Sequence, residues 1–402
     1  MDIVIQKYGG TSVASAAGQH IMINNVKACI EKNEKPLIVV SAMGRKGDPY
    51  ATDTLINLYQ EIYKGEDIKA DQDLLMSCGE VISATLIANR FRAQGLKTKV
   101  ISGQLLGIVT DDNYGNANVL HVNPSKIREA LSDYDLCVVT GFQGVTQDGF
   151  ITTLGRGGSD ATAVLLGEAL SVNRVEIYTD VDGVMTADPR MVNRAKVLSE
   201  ISYEEVYQMA IDGAKVIDSK AIAIAKRAGI DLWVKNTFKD VPGTRIFKET
   251  QVLRKAMVTA VTHKNDIVQF RFTIDGKSPM FDKLLDGLAE RKISIDLINF
   301  LVDEKLFTVS SDQSKDVSDM LETYQIPYKH IANCSKITII GPGIHGVPGV
   351  MRKVVKALNQ SQVEILQTSD SYTTISCLIH QESLKKTLET LHDVFELHLT
   401  TL

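Results

Sequence analysis

The sequence predicts an α/β body followed by a smaller, doubled α+β tail, and three observations carry that prediction. Up to Phe247, apolar runs alternate with stretches of helical period, and the runs are continuous, as parallel strands covered on both faces require. Composition then shifts at the charged stretch KETQVLRKAMVTAVTHKND. Beyond it a strand–helix–strand–strand–helix pattern occurs twice, an internal repeat of roughly 65–70 residues.

In chain order the body reads as strand IVIQ, helix 17–31, strand KPLIVVSAM, helix 50–63, and the strands LCVVTGFQG and VEIYTDVDG. The first tail unit reads as strand IVQFRFTI, helix 280–291, strands ISIDLINF and FTVSS, and helix 317–324. The second reads as strand SKITII, helix 347–360, strands VEILQTS and TTISCLI, and helix 382–392. Each unit buries one sheet face under two helices. The expected division is a body at 1–248, a linker at 249–265, and tail units at 266–332 and 333–402.

A chain of 402 residues exceeds what one core usually supports, so several domains are expected. Charged residues make up 23% with a net charge of -5, which excludes a basic nucleic-acid footprint and points to small-molecule ligands. The five cysteines (Cys29, Cys78, Cys137, Cys334, Cys377) contain no CxxC pair and fit buried free thiols in a reducing compartment. The eight histidines, His121 and His345 among them, show no metal-ligand spacing, so no metal held by the protein is expected. Asp2 stands where a signal peptide is basic, and no window approaches about 18 uninterrupted apolar residues. A cytoplasmic protein without a membrane partner is the expectation.

Five stretches carry chemistry. In IVIQKYGGTSVAS a strand feeds Gly9-Gly10, whose amides, with the hydroxyls of Thr11 and Ser12, suit phosphate oxygens, while Lys7 supplies charge. The lysine precedes the glycines, so this is neither GxxxxGK[ST] nor GxGxxG; a plain strand-to-helix turn is the bland alternative. TTLGRGGSD is a second glycine-rich turn, in which Arg156 offers a fork for a carboxylate and Ser159 and Asp160 sit where a helix begins. Either of those two residues would also serve as an ordinary helix cap. YTDVDGVMTADPR follows a strand end, where α/β sheets bind ligands, or is a surface turn. LLMSCGE places Glu80 at a turn in a helical stretch, where a carboxylate is usually solvated. GAKVID presents Lys215 on what reads equally as a helix surface. Arg45 and Lys46 in MGRKGDPY read as a solvated turn as readily as a phosphate contact.

In this order, KYGGTS, SCGE, TTLGRGGSD, YTDVDGVMTADPR and GAKVI resemble the aspartokinases of the amino acid kinase superfamily, and the doubled tail resembles their tandem ACT domains. The resemblance spans essentially the whole chain. It implies an amino acid kinase fold, a mainly parallel sheet sandwiched by helices, followed by two ferredoxin-like ACT units. It implies an aspartate kinase: MgATP phosphorylates the side-chain carboxylate of L-aspartate, giving 4-phospho-L-aspartate and ADP. That reaction leads toward lysine, diaminopimelate, threonine and methionine.

Carried over by position, Lys7 and Asp160 are the expected catalytic pair, Asp160 orienting Lys7. Tyr8, Gly9, Gly10, Ser41, Ser159, Thr179, Asp180, Met185, Arg190 and Lys215 are expected at ATP, and Thr52, Glu80, Arg156, Gly157, Gly158 and Ser159 at aspartate. Met185 stands where the family often has tyrosine. The first ACT unit reads DGKSPM and LINFLV where the family carries Pro-Gly and Gln-Asn pairs. Gln367, Thr368, Ser369 and Asp370 in the second unit are the expected effector contacts for an amino acid such as lysine, threonine or meso-diaminopimelate. ACT units usually pair between chains, so a homodimer or larger assembly is expected. The rival of another class is an amino-acid-sensing protein with an inactive kinase body; it predicts loss of Lys7, Arg156 or Asp160, and all three are present. A dinucleotide-binding dehydrogenase needs GxGxxG after a strand, which the sequence lacks.

Overall fold

The computed structural model describes residues 2–61, 69–214, 216–248, 257–302 and 304–399. The body is built on an eight-stranded sheet in the order Glu200–Ser202, Thr244–Phe247, Asp231–Asn236, Arg174–Thr179, Ile3–Tyr8, Lys35–Val40, Leu136–Thr140, Thr98–Ile101. All its pairings are parallel except that between Asp231–Asn236 and Thr244–Phe247. The central strands are apolar because helices cover both faces. Leu37, Val39, Val139 and Ile177 belong to one core, and Ile38, Val40, Val138 and Phe91 to the other. The predicted helices are present as Ala16–Glu31 and Thr52–Gln60. A small sheet of Val119–Val122, Ile108–Thr110, Gln143–Val145 and Ile151–Thr153 stands beside them and supports the second glycine-rich turn.

In the tail the predicted helices appear as Pro279–Glu290, Ser314–Thr323, Val350–Gln360 and Leu384–Val394. Both repeats share one six-stranded sheet, because two 13-residue strands, Ala260–Phe272 and Tyr328–Ile340, run through the two units. The second half of Ala260–Phe272 packs Val268, Phe270 and Phe272 into the first unit's core. Its first half puts Val261 into the core of the second unit. Residues 260–265 are therefore sheet, where the sequence suggested linker; 249–256 lie outside the described residues. The strand looked like a linker because its centre, His-Lys-Asn-Asp, is polar, and Asp266 at φ 58° makes an irregularity there.

The body and tail are joined by packing as well as by chain. Ala187 and Val192, from the loop after Arg174–Thr179, lie in the second unit's core, and the Val261 amide donates to the Thr186 carbonyl at 2.8 Å. Four cysteines are buried free thiols as expected, but Cys78 is exposed.

Candidate active site

The site forms where the central parallel strands end. Ile3–Tyr8 lies between Lys35–Val40 and Arg174–Thr179, with Lys7 in register with Val39 and Ile177. The chain turns at Gly9 directly into the short helix Gly10–Ala14. Gly10 is required by close packing: a Cβ there would stand 2.7 Å from the Ala42 carbonyl oxygen and 2.8 Å from that of Gly44. The two strand-end loops are thus locked together, and the Gly44 amide donates to the Gly10 carbonyl at 3.1 Å.

Across the cleft, Gly155 and Gly157 take positive φ values of 76° and 70°, and helix Gly158–Leu170 follows. The helix cap is Gly157 without any side-chain capping bond, so Ser159 and Asp160 are not caps. Both lie inside the first turn, and Asp160 pairs with the Lys7 ammonium at 2.6 Å with both side chains largely buried. The two glycine loops, distant in sequence, are joined by that contact.

Glu80 departs most from its sequence reading. It lies inside the continuous helix Lys69–Arg92 rather than at a turn, and it is buried rather than solvated. Gly79 caused the misreading; a Cβ there would meet the Ala42 side chain at 2.8 Å and the Tyr50 carbonyl at 2.9 Å, so glycine serves close packing of the helix on the loop. Glu80 Oε1 accepts from the Ala42 amide at 2.9 Å, while Oε2 is buried without a hydrogen-bond partner among the described residues. Burial pushes the carboxyl up to about 8, against the pull of the Ala42 amide.

Lys7, Gly10, Ser41, Thr52, Glu80, Arg156, Gly157, Gly158, Ser159 and Asp160 line one cleft of about 610 Å³. Arg156 is exposed there and makes no ion pair among the described residues. Arg45 and Lys46, read as a solvated turn, line the same cleft, and Arg45 pairs with Asp180 at its edge. Their position just after a parallel strand's end was the available signal. Asp73 was missed altogether: this buried carboxylate accepts from the Gly115 and Thr153 amides at 2.9 and 2.7 Å and from the Thr153 hydroxyl at 2.9 Å. It ties helix Lys69–Arg92 to the strand leading into the second glycine turn.

Other expected residues stand elsewhere. The Tyr8 ring is fully buried and stacks on Tyr178 at 4.6 Å, so its side chain belongs to the core. The Ser12 hydroxyl is also buried, bonded to Thr237 at 2.7 Å, and does not line the cleft. Thr179 and Asp180 mark the end of their strand beside the cleft. Met185 bridges Val197, and Arg190 forks onto Asp188 at 2.7 Å, on a loop that packs against the tail rather than lining the cleft. Lys215 lies outside the described residues. Gln367–Asp370 is the edge strand of the six-stranded sheet; Gln367 is buried and accepts from Gln269 at 2.7 Å, and Asp370 pairs with His345 at 2.8 Å.

The model of the amino acid kinase family matches residues 2–236, and that of the ACT domain matches 329–393. Over 405 residues the chain is 37% identical to aspartokinase 1 of Bacillus subtilis, covering 99% of this chain and 100% of that one. The chain belongs to the aspartokinase family. The aspartokinase of Thermus thermophilus is 36% identical over 409 residues, with 99% of each chain covered. Among solved structures, aspartokinase III of E. coli in complex with aspartate and ADP superposes with a TM-score of 0.78 at 24% identity, covering 98% of this chain and 99% of that one. The aspartate kinase of Clostridium acetobutylicum superposes at 0.80 and 21% identity, covering 98% and 100%. At these identities the superpositions establish the fold: an amino acid kinase body carrying ACT units.

Proposed function

We propose that the cleft performs the family's reaction, transfer of the γ-phosphoryl group of ATP to the side-chain carboxylate of L-aspartate. One observation carries this: Glu80, whose buried Oε2 has no hydrogen-bond partner among the described residues, lines the same cleft as the Lys7–Asp160 pair. The first is a receptor for an ammonium group. The second is a cation held at fixed position beside glycine-rich backbone.

Arg156 takes the substrate's α-carboxylate bidentately, with Thr52 and the Gly157 and Gly158 amides alongside. Held through the ammonium and carboxylate on its Cα, aspartate presents its side-chain carboxylate toward Lys7. That carboxylate is already ionised at neutral pH, so no general base is needed. Lys7 draws off the charge that accumulates on the transferring group, and Asp160, 2.6 Å away, keeps the ammonium in place. The Gly9 and Gly10 amides, Ser41, Ser159, Thr179 and Asp180 surround the phosphates, and Lys215 holds the remainder of the nucleotide. Asp160 and Asp180 already face Lys7 and Arg45, a donor set that fits a Mg2+ ion carried by the nucleotide's own phosphates better than one caged by the protein. An ion held there would supply neutralisation of phosphate charge.

The tail supplies feedback control by an end product, with Gln367 to Asp370 contacting the effector and the ACT units pairing two chains into a homodimer. The reaction sits in the cytoplasm at the head of lysine, diaminopimelate and threonine synthesis. The test is ADP release with MgATP and L-aspartate, with the acyl phosphate trapped as its hydroxamate, on wild type and Lys7→Ala. Aspartate-dependent hydroxamate that falls by about 10²–10³-fold in the variant supports the assignment. No turnover by a folded wild type that binds an amino acid would favour the sensor reading.

A further inference from the structure

Helix Leu384–Val394 ends against the body, and its last turn holds His392 and Asp393. The chain then reverses: the Glu396 amide donates to the Asp393 carbonyl and the Leu397 amide to that of His392, both at 3.0 Å, with Glu396 at φ 55°. This left-handed cap is a rigid way to end a helix, and it returns His398 toward the two residues it has just passed. One ligating atom each from His392, Asp393 and His398 come to lie within 4.8 Å of one another.

Three further observations bear on that cluster. His392 is fully buried, and its Nε2 is engaged by the Thr186 hydroxyl at 3.0 Å, yet its Nδ1 has no hydrogen-bond partner among the described residues. Among the described residues the Nδ1 of His398 is buried without a hydrogen-bond partner as well, 3.7 Å from the Asp393 carboxylate. Two buried ring nitrogens beside one carboxylate are what a cation would satisfy together. Thr186 plays the part that an outer partner plays for a ligating imidazole, fixing the ring through its far nitrogen. The carbonyl end of the helix adds negative potential.

We propose that His392, Asp393 and His398 form a binding site for a divalent transition-metal ion such as Zn2+. Two imidazoles and one carboxylate are the donor set such ions prefer over Mg2+ or Ca2+, and three protein ligands leave a position for water. Arg194, from the body, pairs with the Asp393 carboxylate at 3.0 Å and competes for it. Metal binding therefore displaces Arg194 or confines it to one oxygen. Because Thr186 and Arg194 both belong to the loop after Arg174–Thr179, the ion would clip that loop to the end of the chain.

The spacing is H-D-x4-H, which reads as no metal motif until the helix cap brings the ends together. The experiment is titration of metal-free full-length protein with Co2+ followed by its ligand-field absorption, and with Zn2+ by calorimetry. One ion per chain is expected, with affinity reduced at least tenfold in His398→Gln and Asp393→Asn, and unchanged in His345→Gln, which alters the separate His345–Asp370 pair. Folding of each variant is checked by circular dichroism. Absence of stoichiometric Co2+ and Zn2+ binding overturns the proposal. So does wild-type affinity in folded His398→Gln and Asp393→Asn, or a loss seen only in His345→Gln. None of these readouts depends on kinase activity.

Discussion

Glu80 is a carboxylate that its surroundings keep protonated until a partner arrives. Its folded-state value of about 8 lies above the ordinary 4.5, so between those limits the folded protein holds a proton that the unfolded chain has released. Stability contributed at this site is therefore lost as pH rises from about 4.5 toward 8, and Glu80→Gln should flatten that part of a stability–pH curve measured by urea unfolding. Substrate binding runs the other way. An ammonium pairs with the ionised form, so below about 8 the KM for aspartate in wild type should fall with rising pH, by up to tenfold per unit. In Glu80→Gln the KM should be higher and nearly independent of pH over the same range. A variant that keeps the wild-type slope would assign the dependence to another group and remove Glu80 from the ammonium site.

At the scale of elements, the second glycine turn works because of its backbone. Gly157 has φ 70°, and a Cβ there would stand 2.1 Å from the Asp218 carboxyl carbon, at the cap of helix Ser219–Ala228. Gly157→Ala should lose about 1–3 kcal/mol from the left-handed conformation alone and raise the KM for aspartate by swinging Arg156. Gly229 is the control: its φ is 69°, but open space surrounds it, so Gly229→Ala should lower thermal stability and leave both kinetic constants unchanged. Equal kinetic loss in both would mean that backbone strain, not the position of the turn, is what matters. The same comparison explains what was legible in the sequence. Three glycines beside an arginine at a helix start signal a site because few folds need them there, and Lys7 and Asp160 were found from such turns. Gly79 gave no such contrast, since a glycine that lets a helix touch a loop is indistinguishable from one that ends a helix. Asp73 was equally silent, because its partners, at Gly115 and Thr153, lie 42 and 80 residues away in sequence. The strand Ala260–Phe272 was half hidden because its polar centre marks the joint between two units rather than the end of an element.

Across the whole molecule, one buried cation ties body to tail. Lys336, on the long strand Tyr328–Ile340, reaches Asp212 at 2.8 Å and Asp296 at 2.7 Å. Asp212 directly follows helix Tyr203–Ile211 of the body, and Asp296 opens strand Asp296–Phe300 in the first ACT unit. Burial opposes the charge on Lys336, but the two carboxylates outweigh it and raise its pKa, so the ammonium persists throughout the physiological range. On the tail side Asn299, three residues beyond Asp296, accepts from Gln367 at 2.6 Å. On the body side the chain runs six residues from Asp212 to Asp218, which abuts Gly157. The triad thus stands between the proposed effector strand and the substrate turn. Lys336→Met strands the buried Asp212 and should cost about 3–5 kcal/mol. Asp296 is half exposed, so Asp296→Asn should cost far less and separates coupling from folding. With whichever of lysine, threonine or meso-diaminopimelate inhibits wild type, Asp296→Asn should need at least about fivefold more effector for half-inhibition, with kcat unchanged in its absence. For binding, linkage requires reciprocity: the factor by which the effector changes aspartate affinity is the factor by which aspartate changes effector affinity, and it should shrink in the variant. An effector titration identical to wild type, alongside a lowered thermal midpoint, would make the triad a tie that holds two domains together without carrying a signal between them.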